Sequence, residues 1–166
     1  MRQQSHLQID DLRAMENWHV NLACTHGHYH PDDAEFALAS GKLIVNGANI
    51  SFILRSHIQQ RRDLAVLANA VLAFSAFLQW TRPNGDSLEM LLPVSMNDLD
   101  RHVKARCLQT LGNILPLRNQ YQKAQLKLEE AHLVFIGNLL GAAQCLRSAC
   151  AVPAKCQQHV AGAESV

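Results

Sequence analysis

No apolar run in this chain of 166 residues reaches the roughly 20 residues needed to cross a bilayer. The longest runs, Leu64 to Leu78 and Leu133 to Ala143, therefore read as buried helices, and no membrane contact is expected. The first residues, MRQQSHLQIDDLRAMENW, lack an apolar signal core, so export by the usual route is not expected. A net charge of +1 gives no general pull toward nucleic acid. Cysteines are unpaired in spacing: Cys24, Cys107, Cys145, Cys150 and Cys156 are odd in number and suit reduced thiols better than a disulfide framework. Also missing are a pair of acids, a nucleophile beside a base, and a phosphate loop, so catalysis is not expected. What the chain does have is 48% apolar and 17% charged residues, the balance of a globular domain large enough to bury a core.

Along the chain, Leu7, Ile9, Leu12, Met15, Val20 and Leu22 recur at helical spacing and predict an amphipathic helix over 7–23. Pro31, followed by Asp32, Asp33 and Glu35, suits the first turn of a short helix over 32–39. Leu43, Ile44 and Val45 have strand character, and Asn46-Gly47 is a strong two-residue hairpin signal, so strands 42–45 and 48–50 are expected. Ser51 would then cap a helix over 52–73, with a break or exposed turn at the polar insert Gln59 to Asp63. A second hairpin is expected over Phe77 to Pro93, turning at Pro83-Asn84-Gly85-Asp86 and returning along Leu88 to Leu92. Ser95 would cap the next helix, whose face is Met96, Leu99, Val103, Cys107, Leu108 and Leu111, loosened at Gly112 or Pro116. A final helix over 117–150 would carry Tyr121, Ala124, Leu128, Ala131, Phe135, Asn138 and Ala142 on one seam.

The expected fold is thus α+β and helix-dominated, with two short antiparallel β-hairpins packed on helices and a long C-terminal helix. It divides into a helical arm with a histidine loop (1–40), a hairpin–helix–hairpin–helix unit (41–122), a C-terminal helix (123–150) and a flexible tail (151–166).

Over residues 41–122 the elements LIVNGANIS, FLQWTRPNGDSLEML and MNDLDRHVKARCLQTLGNILPLRNQ, in that order, resemble a small domain of unknown function found in phage tail fibre and tail-fibre-assembly proteins. The resemblance implies a non-catalytic bacteriophage or prophage tail-associated protein, structural or assisting fibre assembly through protein contacts. It further implies other phage tail or fibre proteins as partners, and a place in the bacterial host cytoplasm or the virion. That domain has no established catalytic residues, so none is carried over.

Several side-chain groups carry chemical alternatives. His26, His28 and His30 alternate and, in an extended segment, would share one side as ligands for zinc, with Asp32 or Asp33 completing the set. Cys145, Cys150, Cys156 and His159 are a second zinc set, of unusual spacing. Cys24 beside His26 or His28 is a weaker nucleophile–base pair, because neighbours in sequence seldom make one. Arg55, Arg61 and Arg62 offer a small DNA-binding or other anion-binding patch, against which a solvated face is the plainer reading. Trp80 and Trp18 are candidate partner contacts. Phe135 and Asn138 mark the C-terminal seam, for which packing within the chain is the plainer reading and self-association into a homo-oligomer the alternative.

Overall fold

The apolar run Leu64 to Leu78 is helical from end to end, whereas the run Leu133 to Ala143, expected as one buried helix, is divided, one helix ending at Val134 and the next beginning at Leu139. In the computed structural model, which describes the backbone of residues 2–95, 98–135 and 139–163 and the side chains of 10–95, 98–135 and 140–152, every regular element is helical. Helix α1 spans Arg2–His26, α2 Phe36–Gln59, α3 Leu64–Thr81, α4 Asp86–Val94, α5 Arg101–Ile114, α6 Tyr121–Val134 and α7 Leu139–Ala163, with a 3₁₀ turn at Leu115–Arg118 between α5 and α6. No strand occurs among the described residues, so the α+β expectation and both hairpins are corrected to an all-helical bundle.

The first hairpin fails because burial outweighs local turn preference. Residues 42–50 lie inside α2, where Ala39, Leu43, Ile50, Ile53, Leu54, His57 and Ile58 recur at helical spacing and are buried together. A strand pair would split that set across two faces. Within the helix the Asn46 side-chain amide donates to the Lys42 carbonyl at 2.9 Å, so the turn-forming side chain is satisfied in place. Gly47 sits over the Phe74 ring, and a Cβ there would lie 3.9 Å from Phe74 Cζ, at ordinary contact. The second hairpin fails the same way. Phe77 to Thr81 complete α3, and Leu88, Leu91 and Leu92 of α4 face the core at helical rather than alternating spacing. Pro83-Asn84-Gly85 does reverse the chain, with the Asp86 N–H donating to Asn84 Oδ1 at 2.8 Å, but it joins two helices.

Other boundaries follow their capping chemistry. The insert after Gln59 does break the helix: Arg61 and Asp63 take positive φ (52° and 31°), and the Asp63 carboxylate accepts from the Val66 N–H at the start of α3. Asp100, not Ser95, caps α5, accepting from the His102 N–H at 2.8 Å and the Val103 N–H at 3.3 Å. Ser95 instead donates its hydroxyl back to the Leu91 carbonyl. Pro116 lies in the 3₁₀ turn that ends α5, and the expected long C-terminal helix is two helices, α6 and α7.

Helix α3 is the hub. It packs against α1, α2, α4 and α5, while α6 bridges α5 and α7. One apolar core runs through the bundle, from Val20 and Ala23 in α1 through Phe74 and Phe77 to Leu128, Phe135 and Cys145. Two of the expected segment boundaries, 40/41 and 122/123, fall inside α2 and α6, and the third, 150/151, falls inside α7.

Candidate interaction surface

Helix α2 has two apolar faces, and among the described residues only one is covered. The inner face is the buried set above. On the opposite side lie Leu38, Gly41, Val45, Ala48 and Phe52, all open to solvent, with Leu38 68%, Val45 82% and Phe52 73% exposed. Ile44, 63% exposed, flanks them. The steps are three and four residues in alternation, the spacing that keeps side chains on one stripe of a helix. Large residues recur at seven-residue intervals (38, 45, 52) and small ones between them (41, 48). At Gly41 an added Cβ would meet nothing within 4 Å, so the stripe carries an open notch beside its side chains. A surface helix normally has a polar outer face, and one that is apolar all round is ordinarily covered on every side.

Charge around the stripe is sparse. From Phe36 to Gln59 there is no acidic residue, and the cations are Lys42 and Arg55. Arg55 is bound to Asp86 at 3.2 Å, and Asp86 also holds Arg118 at 3.1 Å. At one edge Ile44, Gly47, Ala48 and Ser51 lead into a groove of about 570 Å³ against α3, floored by Phe74 and Phe77 and closed by Arg82. By length and composition α2 and α3 would each suffice to cross a membrane, which counting unbroken apolar residues did not reveal.

The residues singled out from sequence are scattered by the fold. His26 ends α1, so the three histidines do not share an extended strand. Lys42 Nζ lies 3.3 Å from His26 Nε2. Burial first, then Lys42 and His28, push the His26 pKa down, which suits a neutral ring accepting from the ammonium. The His28 ring lies 4.3 Å from that of Tyr29, tilted by 32°, and His30 and Trp80 meet edge to face at 4.7 Å while the His30 Nδ1 pairs with Asp32. Among the described residues no three His, Cys, Asp or Glu side chains come together as a metal-binding group.

Cys145 is buried and Cys150 exposed on α7, while the side chains of Cys156 and His159 lie outside the described ones. Burial raises the Cys24 and Cys145 thiols, and holds Cys107 up at about 12 although Arg106 opposes it, so these three resist forming thiolate.

Two of the three arginines pair with acids on different helices. Arg55 faces Asp86 near α4, while Arg62 pairs with Glu16 of α1 at 2.9 Å. Glu16 also accepts from His57 at 3.1 Å, beside a cleft of about 350 Å³ lined by Arg13, Asn17 and Asp63. Partial burial pushes the Glu16 carboxyl up, but His57 and Arg62 together pull it below the ordinary glutamate value. This cluster ties α1 to the turn between α2 and α3.

Trp80 is half exposed (49%), while Phe135 is buried against Gly141 and the His102 ring and so belongs to the core. Asn138 lies outside the described residues. None of the named candidates lies on the outer stripe of α2. The signal for it was present as the seven-residue recurrence of Leu38, Val45 and Phe52, but an Asn-Gly taken as a hairpin turn hides any period that runs through it. No family model matches this chain, and neither a curated protein nor a solved structure does.

Proposed function

We propose that this protein is a non-catalytic interaction domain whose working surface is the outer stripe of α2, docked helix against helix on a protein partner. The observation that carries the reading is an apolar stripe opposite the buried face of the same helix, with Leu38, Val45 and Phe52 each more than two-thirds exposed. Covering such side chains gains about 25 cal/mol per Å² of apolar surface, and small residues between them let a second helix approach closely. The phage-tail resemblance adds nothing to this reading, because it rested on two hairpins and α2 runs unbroken through the first.

The test compares proteins that co-purify from the native source with three baits: the wild type, Val45→Glu, and Val66→Glu, the last at a 51% exposed position on α3. A partner present with wild type and Val66→Glu but lost with Val45→Glu supports the reading. A partner retained by all three refutes it.

A further inference from the structure

Resting on that reading of α2, we infer that the partner of the stripe is a second copy of this chain, paired antiparallel about a two-fold axis between Asn46 and Gly47. The argument is one of size and charge. Leu38, Val45 and Phe52 occupy one set of positions on the stripe, Gly41 and Ala48 the other. In a parallel pair equivalent positions face each other, so large would meet large and small would meet small, leaving alternate clashes and gaps. In an antiparallel pair the two sets face each other. Phe52 then enters the notch at Gly41 of the second copy, and Val45 packs on Ala48 of the second copy, with both contacts repeated by symmetry. The largest side chain meets the smallest, and every layer has similar thickness.

Charge selects the register. With the axis at 46–47, Lys42 comes beside Asn49 and Ser51 of the second copy, and no cation meets a cation. Sliding by one heptad toward the N-terminus keeps the alternation of sizes but brings Lys42 against its own symmetry mate on a helix that holds no acid. At each end of the chosen register Arg55 lies over Leu38. Its guanidinium is already bound to Asp86, so its aliphatic stem is what the second copy meets. The axis also lies near the midpoint of Phe36–Gln59, so the two helices overlap along about 33 Å. A contact of one helix on one helix buries on the order of 1,000 Å² in total, the low end for specific complexes, so the expected dissociation constant is micromolar.

The test is sedimentation velocity on the full chain across the micromolar range, in reducing buffer because Cys150 is exposed. Wild type is expected to show a monomer–dimer equilibrium. Val45→Glu should weaken it more than tenfold. Gly41→Leu should weaken it equally although it adds apolar surface, because it fills the notch that receives Phe52; circular dichroism should show both variants as helical as the wild type. Three results overturn the pairing. Wild type that stays monomeric excludes a second copy, and if Val45→Glu still loses a co-purified protein, the docking role of α2 stands without it. A dimer unaffected by either variant places the contact between copies elsewhere and removes the second copy from α2, and the docking reading is then decided by whether Val45→Glu loses a co-purified protein. A dimer that Gly41→Leu leaves intact or tightens rejects the size-matched antiparallel geometry. Flotation with phosphatidylserine–phosphatidylcholine vesicles closes the set: wild type that floats without dimerising, and Val45→Glu that does not float, replaces the second copy with a bilayer surface.

Discussion

Helices α2 and α3 are neighbours joined by a four-residue turn, and each is long and apolar enough to cross a membrane. Yet α3 packs against α1, α2, α4 and α5 and buries both of its phenylalanines, while α2 keeps a whole stripe in solvent. Phe74 of α3 is 2% exposed and Phe52 of α2 is 73% exposed, though both sit in the middle of apolar runs. The difference teaches that apolarity states a need for cover without saying what provides it. For α3 the cover is α1, α2, α4 and α5 of the same chain. The outer face of α2 has no such cover among the described residues.

The contrast is broken or sharpened most strongly at the two phenylalanines. Phe74→Ala should cost about 3–5 kcal/mol in chemical denaturation, because it empties a filled site. Phe52→Ala, measured at low protein concentration where association does not contribute, should change stability by less than about 0.5 kcal/mol. Equal losses at both positions would mean that the outer stripe is covered within the monomer.

The join between α1 and α3 gives the next largest effect. A Cβ on Gly27 would lie 2.4 Å from the Ala73 carbonyl carbon, which is backbone and cannot rotate away. Gly27→Ala should therefore destabilise by about 1–3 kcal/mol, read as a lowered melting temperature. A neutral outcome would show that α1 does not seat on α3 this closely.

A smaller effect of opposite sign tests the helix that replaced a hairpin. Gly47→Ala should stabilise by about 0.5–1 kcal/mol, since alanine is the better helix former and its Cβ has room beside Phe74. If residues 46–47 formed a type I′ turn, the same change would destabilise, because that turn demands positive φ.

The smallest effect concerns the cluster that ties α1 to the turn after α2. Glu16 is depressed in the folded chain, so its contribution is complete above the ordinary glutamate pKa and is lost as pH falls through the lower folded value. Acid titration of stability should show this loss in wild type and a flatter profile in Glu16→Gln. A Glu16→Gln profile identical to wild type would mean that His57 and Arg62 do not hold the carboxylate.

Much of the helical content was legible in the residues. The 7–23 periodicity lies within α1, the polar insert after Gln59 does end α2, and Pro116 does sit where α5 tightens. The seam of Ala124, Leu128, Ala131 and Phe135 is buried on one side, as its spacing requires. What was not legible was the conflict between a strong local turn at Asn46-Gly47 and a helical period passing through it. A turn signal acts over two residues, whereas seven buried side chains of α2 act over twenty, and the larger sum prevails. The histidines were misplaced for a related reason. Their alternation matters only in an extended chain, and α1 continues to His26.

By itself the sequence determined that this chain would bury a continuous core and that helices would supply most of it. These follow from composition and period, which are properties of short stretches. Only the tertiary structure decided which apolar face of α2 lies inside and which is left open, and that Arg55 and Arg62 pair with acids on different helices. Those outcomes depend on which helices meet across long separations in the chain, and local residues do not carry that information.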